Sequence, residues 1–299
     1  MKKLLAWMLL AAASTVMAQS PAPEVPATAL PAQPPASATQ KIAQSTAPAP
    51  HGWRCLDNVT DKGGLKARQL LEQMVEAMGG EAWLQYSSLS QTGRSYSFYQ
   101  GRPSNSGTLF WRFVKLPDKD RTEMTKQRDV VYIINGAKGY ELTYKGTAAM
   151  DAKDLQESLR RRGRSLETVL RGWLADPATT VLYLGSGLAD KRLAEMVSII
   201  NSKNEDLTLY IDPASHRLMQ KSYHYRSEDG YKDEEIELYG NYHLVQGMQT
   251  PMTITRYHNG EIVSQRFVNA TSYNDVQDEK IFAATITYDP YHYREKNNK

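Results

Sequence analysis

The sequence has a single cysteine, Cys55, in 299 residues. One thiol cannot close an internal disulfide, so the fold rests on packing alone. The expected state of Cys55 is a half-buried thiol, with a redox or intermolecular role as the alternative. It follows Trp53-Arg54 well inside the chain, which argues against a lipid-anchored cysteine at a cleavage point. A large net charge is also missing: the formal value is +3, and nothing in it provides an electrostatic footprint for nucleic acid. Catalytic signatures are absent. There is no His-Glu-x-x-His and no Gly-rich loop followed by Lys-Ser/Thr, and Gly185-Ser186-Gly187 lacks the spacing of a nucleophile elbow. The six histidines (His51, His216, His224, His243, His258 and His292) have no ligand spacing, so no metal site and no cofactor is expected. The acidic run Glu228, Asp229, Asp233, Glu234 and Glu235 does not alternate as a calcium loop does and reads as a solvated turn.

Lys2-Lys3, the apolar run Leu4 to Ala13 and Val16-Met17-Ala18 form a secretory signal, residues 1–18, with a small-residue cleavage site. The apolar run is too short to span a bilayer, so the exported product is not expected to be membrane-spanning. Losing the two lysines of the signal takes the net charge from +3 to +1. Residues 19–50 hold eight of the fourteen prolines and almost no large apolar side chain. Such a segment cannot bury enough surface to offset its ordering entropy and reads as an extended linker. The folded domain is expected over 51–287, with a loose, polar, Tyr-rich tail over 288–299.

Leu70, Leu71, Met74, Val75 and Met78 share one face of a helix over Leu65 to Met78, which Gly79-Gly80 stops. A second helical region, Asp151 to Leu174, carries two stripes separated at Gly163. The Arg160, Arg161, Arg162 and Arg164 cluster at that break reads as a solvated surface, or else as a docking patch for acidic groups. The rest is strand. Leu89 to Tyr99, Thr108 to Val114, and Asp129 to Ile134 with Gly139 to Tyr144 around Asn135-Gly136 come first. Val181 to Leu184 follows, ending at Gly185. Leu207 to Asn274 is then a meander broken at Asp212-Pro213, Asp229-Gly230 and Asn259-Gly260, with Ile236 to Tyr239 a short strand and Gly247 and Pro251 bracketing an irregular link. Asn-Gly between alternating runs is the strongest local hairpin signal, because both residues tolerate φ > 0. Leu193 to Asn201 fits a helical stripe or a short strand. Ile281-Phe282 is expected to tuck back onto the sheet. Eighteen tyrosines against five phenylalanines and five tryptophans suit either the wet face of a sheet or the wall of a cavity for amphiphiles.

Four stretches resemble the periplasmic outer-membrane lipoprotein-sorting-like proteins, related to the LolA/LolB carriers. They are EAMGGEAWLQYSSL (Glu76 to Leu89), FVKLPDKDRTEM (Phe113 to Met124), VVYIINGAKGYEL (Val130 to Leu142), and LTLYIDPASHRLMQ (Leu207 to Gln220) with GMQTPMTITRYHNGEIV (Gly247 to Val263). They are turn signatures rather than catalytic ones. The resemblance favours a strand for Leu193 to Asn201. It implies an α+β fold: a curved antiparallel β half-barrel covered on its concave side by helices, enclosing a cavity for acyl chains or other hydrophobic ligands. The long linker and the region Asp151 to Leu174 depart from the known carriers, which separates general lipid binding from lipoprotein transfer.

The expected function is therefore a non-enzymatic periplasmic carrier or binding protein for a lipid or lipidated protein. The candidate lining residues are Phe98, Trp111, Phe113, Ile134, Leu182, Leu209, Tyr223 and Ile254 on strands. Leu166, Leu170 and Trp173 are candidates for a lid. The alternatives are an interaction module with a filled core that docks an inner- or outer-membrane envelope protein, and an enzyme acting on lipid or glycan.

Overall fold

The computed structural model describes residues 50–57 and 59–290. The signal, nearly all of the linker, and the tail from residue 291 fall outside the described residues. The chain is anchored at its start by Trp53, whose indole Nε1 donates to the Leu170 carbonyl at 2.8 Å. The neighbouring Cys55 amide donates to the Leu174 carbonyl at 3.2 Å. The Cys55 thiol itself is half-buried, and burial pushes its pKa up to about 12.

Helix α1 (Lys62–Met78) is capped by Asp61, whose carboxylate accepts from the Gly64 amide at 2.8 Å. This satisfies one of the amides that the first turn leaves without an intrahelical partner. Asp61→Ala is expected to cost about 1 kcal/mol, read as a shifted midpoint in urea with an unchanged slope. The predicted face, Leu70, Leu71, Met74, Val75 and Met78, is buried. Each such side chain contributes about 1.5–3 kcal/mol of burial. The helix ends at Gly79, whose φ of +131° suits only glycine, and where an added Cβ would lie 3.0 Å from the Met248 Cα. The short α2 (Gly80–Gln85) buries Trp83.

Fourteen strands form one antiparallel sheet. The first seven are β1 (Ser88–Tyr99), β2 (Arg102–Pro103), β3 (Thr108–Lys115), β4 (Lys119–Met124), β5 (Val130–Asn135), β6 (Lys138–Thr143) and β7 (Gly146–Ala149). The chain then leaves the sheet through α3 (Ala152–Gly163) and α4 (Leu166–Thr168), which runs on into a π turn over Val169–Trp173. It re-enters as β8 (Thr180–Ala189), β9 (Arg192–Ile200), β10 (Asp206–Ile211), β11 (Leu218–Arg226), β12 (Lys232–Val245), β13 (Met248–His258) and β14 (Glu261–Tyr273). The strand order is β7-β6-β5-β4-β3-β1-β14-β13-β12-β11-β10-β9-β8, with β2 paired to β1 alone. Two meanders thus run outward from the β1–β14 pair, and the helical segment α3–α4 connects their far edges.

Several local readings need correction. Gly185-Ser186-Gly187 does not end β8. The strand runs on through a register shift after Tyr183 to a turn at Asp190-Lys191. Both turn residues adopt positive φ (47° and 64°) without a glycine to announce it. Ile236 to Tyr239 is only the middle of a 14-residue strand, and the turn falls at Gln246-Gly247. Pro251 lies within β13 opposite Tyr242, and is tolerated because pairing with β14 begins at Thr253. Leu193 to Asn201 is strand, and Phe282 is fully buried in a short helical turn over Glu279–Phe282 that rests on β4 and β5.

The main core lies between α1, the π turn and strands β9 to β11, with Val169, Leu174, Val197, Ile199, Leu207 and Leu218 buried in it. α3 is different: none of its residues is fully buried.

Candidate ligand cavity

Strands β6 and β11 lie eight strand spacings apart, about 38 Å across a flat sheet. Yet Glu141 of β6 and Leu218 of β11 line a single cavity of about 610 Å³. The sheet is therefore strongly curled. The cavity sits in its concavity beneath α2, α3 and α4, and the α+β half-barrel with helices on the concave side is the observed architecture.

Strand parity decides which side chains reach it. Cross-strand partners share a face, and Arg112 and Val114 of β3, Asp120 and Thr122 of β4, and Ile254 and Arg256 of β13 all point inward. Among the residues singled out from sequence, the structure brings Ile134, Ile254 and Leu166 together at the cavity wall. The others lie elsewhere. Trp111 and Phe113 alternate with Arg112 and so belong to the outer face, where the Arg128 guanidinium stacks 4.4 Å over Trp111. Phe98 sits at the end of β1 against the short β2. Leu182 is 44% exposed on the edge strand β8. Leu209, Leu170 and Trp173 are buried in the main core, as is Tyr223, whose hydroxyl donates to Glu235 at 2.8 Å.

The cavity has two ends of different character. Towards α2 it is largely apolar, walled by Met78, Trp83, Leu89, Val114, Leu116 and Leu166, with the Glu167 carboxylate held by the Tyr86 hydroxyl among them. Five tyrosines contribute as well (Tyr86, Tyr132, Tyr239, Tyr242 and Tyr273). Their hydroxyls are held, Tyr242 to the Leu218 carbonyl at 2.6 Å and Tyr273 with Thr250 at 2.9 Å, which leaves ring faces for a ligand.

The other end is charged. Lys221, 5% exposed, donates to Glu237 at 3.1 Å and to the Arg164 carbonyl at 3.0 Å. Tyr239 donates to Glu237 at 2.8 Å. Burial alone would raise the Glu237 pKa, but the Lys221 and Arg256 cations and these hydrogen bonds hold it at about 2. Arg112 grips Asp120 at 2.6 and 3.0 Å. Burial works against the charged form of Arg112, and the Asp120 carboxylate outweighs it, so its pKa is raised.

The arginine cluster is not a solvated patch. Arg160 lies 3.6 Å over the Tyr225 ring, Arg161 pairs with Glu157 and lines the cavity, and Arg162 donates to the Asp118 carbonyl at 2.9 Å. Arg164, 6% exposed, reaches Glu205 at 3.3 Å. Nor is the acidic run wholly a solvated turn: Glu235 is 3% exposed and meets Arg256 at 3.5 Å and Arg160 at 3.6 Å. Sequence gave no signal for this network, because its partners come from strands and helices tens of residues apart.

Among the described residues no group of three or more His, Cys, Asp or Glu side chains could hold a metal ion, and no helix is long and apolar enough to cross a membrane.

The architecture is the one that the resemblance to the LolA/LolB-like carriers implies: one wide antiparallel sheet curled over helices with a cavity between them. No protein-family model and no curated protein matches the chain. Solved structures do. A LolA superfamily protein from Nitrosomonas europaea is 13% identical over 73% of this chain and 97% of its own, with a TM-score of 0.44. A putative outer membrane lipoprotein-sorting protein domain from Vibrio parahaemolyticus is 9% identical over 72% and 94%, with a TM-score of 0.46. A DUF1329 family protein from Desulfovibrio piger is 8% identical over 79% and 97%, with a TM-score of 0.48. At these identities and TM-scores no property is carried over, and function is read from the cavity itself.

Proposed function

We propose that this protein is a non-enzymatic periplasmic carrier or binding protein for a lipid, an acyl chain of a lipoprotein or another amphiphile, exported by its signal and held away from its site of release by the Pro/Ala-rich linker. The observation that carries this reading is the cavity of about 610 Å³ under α3, a helix with no fully buried residue. That volume is in the range of about 300–1,000 Å³ typical of ligand sites. This cover is held by polar and ring contacts, such as Arg160 on Tyr225 and Glu235 and Arg162 on the Asp118 carbonyl, rather than by a buried apolar face. The apolar end holds the chain of the ligand. Each buried methylene contributes about 0.8 kcal/mol. Ten of them give about 8 kcal/mol gross, against an association cost of roughly 4–15 kcal/mol.

The test is native mass spectrometry on the exported, processed protein purified without detergent, followed by solvent extraction. A discrete adduct that extracts as a lipid is the expected result. A bare mass, with no uptake of added fatty acid or phospholipid, overturns the carrier.

One observation favours a second reading, docking to an envelope protein. Leu182, Leu184, Leu188 and Leu193 are 44–68% exposed on the hairpin β8–β9 at the free edge of the sheet. Mutating these leucines to serine would then abolish capture of that partner without altering lipid content.

A further inference from the structure

Arg266 is the exception in the charged end of the cavity. It lies on β14 with its partners Ser95 on β1 and Ile254 on β13, and its side chain lines the cavity. Every other cation on that floor has an acceptor. Arg112 has Asp120, Lys221 has Glu237, and Arg256 shares Glu235, Glu157 and Glu237 at 3.5–4.0 Å. Arg266 has no hydrogen bond or ion pair among the described residues. Its guanidinium is 5.7 Å from the centroid of Phe110, a β3 residue that pairs with Gly93 of β1, and the Asp120 and Glu237 carboxylates act on it only through space, each being engaged by another cation. Gly93 gives up its side-chain space to the Phe110 ring and the Phe267 backbone, which lets the ring lie close to β14. A Cβ at Gly93 would meet the Phe267 carbonyl oxygen at 2.1 Å and the Phe110 ring at 2.9 Å.

A half-buried guanidinium with no acceptor is an incomplete arrangement. Five donors in a fixed fork match a carboxylate or a phosphate, and hydrogen bonds to an ionised acceptor are the strong ones. Burial, together with the nearby Arg112 and Arg256 charges, pulls the Arg266 pKa down to about 10, so it is still cationic at neutral pH. A neutral donor lies two residues away on the same strand, since Ser264 also lines the floor. The apolar end lies where β1 begins, at Leu89, and Arg266 is paired six residues further on, at Ser95. That is about 20 Å along the strand between the two backbone positions, with Arg112 opposite Gln91 between them.

We infer that the ligand is an anionic amphiphile whose acidic head, a carboxylate or a phosphate ester, is seated on Arg266 with Arg112 beside it, while its chain runs towards α2. This rests on the carrier reading and adds the chemical class of the cargo. It also explains why the cavity floor keeps a guanidinium with no direct acceptor.

The experiment is calorimetric titration of the full processed protein with dodecanoate, dodecyl phosphate, dodecanol and inorganic phosphate, below micellar concentrations. The wild type is expected to bind both acids at least tenfold more tightly than the alcohol, with inorganic phosphate far weaker. Arg266→Gln is expected to bring the acids down to the level of the alcohol, and Arg266→Lys to recover part of the preference. Equal binding of acid and alcohol by the wild type, or a preference that survives in Arg266→Gln, overturns the headgroup assignment and leaves the carrier standing. Inorganic phosphate binding as tightly as dodecyl phosphate also overturns it, in favour of a free-anion site. Failure of all four probes overturns the carrier reading and the headgroup with it. A thermal melt accompanies each variant. Should Arg266→Gln not fold, Arg266→Lys decides alone: an acid preference as large as that of the wild type overturns the bidentate seat.

Discussion

Exchanging Glu237 for leucine is expected to destabilise the protein by about 3–5 kcal/mol, the cost of stranding a buried charge. The charge left behind is Lys221, 5% exposed, whose ammonium has Glu237 and one backbone carbonyl as its acceptors. The Tyr239 hydroxyl loses its acceptor in the same step. For a domain of this size the loss appears as a fall of roughly 10–15 °C in midpoint. Adding Lys221→Met to the variant returns most of the stability, because removing both members of a buried pair leaves nothing uncompensated. The pH dependence follows from the same pair. Glu237 is held at about 2, against 4.5 in the ordinary case. Its contribution is therefore fully present above about pH 4.5 and is lost as the pH falls towards 2. By linkage it amounts to about 3 kcal/mol. Urea midpoints of the wild type are expected to drop steeply across that window and those of Glu237→Leu to drop less. Parallel curves would place the acid sensitivity elsewhere.

That network marks the boundary of what the sequence discloses. Turns announce themselves, because their chemistry is local. Asn135-Gly136, Asp229-Gly230 and Asn259-Gly260 all close hairpins, and Gly79 ends α1. The face of α1 is equally legible, since helical period and burial coincide there. Strand β4 carries no apolar alternation that would announce it, and the polarity of Lys119–Met124 is explained only by Asp120 and Thr122 facing a polar cavity floor. The buried roles of Glu235 and Arg164 were hidden for the same reason: a charge looks solvated until its partner, which comes from a distant element, is placed beside it.

The cavity wall shows a second limit. Alternation identifies the residues that share a face of a strand, not which face is inside. In β3 the larger residues, Trp111 and Phe113, fall on the outer face, while Arg112 and Val114 face the cavity. A sheet that is wet on parts of both faces breaks the usual equation of large apolar with interior. The tyrosines illustrate the same ambiguity: Tyr99 and Tyr144 are 72% and 88% exposed, whereas Tyr239 and Tyr273 line the cavity.

Filling the cavity separates its role from that of the core. Ile134 and Ile254 lie on β5 and β13, five strand spacings apart, and each borders the cavity, Ile254 also packing against the edge of the main core. Enlarging a side chain in a close-packed core forces strain of about 1–3 kcal/mol. Here the added ring has room, so Ile134→Trp and Ile254→Trp are expected to keep the thermal midpoint within a few degrees of the wild type. The space they take is taken from the ligand. Each indole excludes about two methylenes of a bound chain, worth about 0.8 kcal/mol apiece, so each substitution weakens dodecanoate binding roughly fifteenfold. The two sites are too far apart to couple directly, and their effects should add. The double variant is then about two hundredfold weaker and emerges from the periplasm without its extractable adduct. A matched change in the core gives the contrasting result. Leu209→Ala, at a residue buried in the main cluster, costs about 2–5 kcal/mol of stability but leaves binding by the folded fraction intact. Trp variants that unfold the protein, or that fold and still bind dodecanoate as the wild type does, would show that the space between sheet and helices is not where the ligand lies.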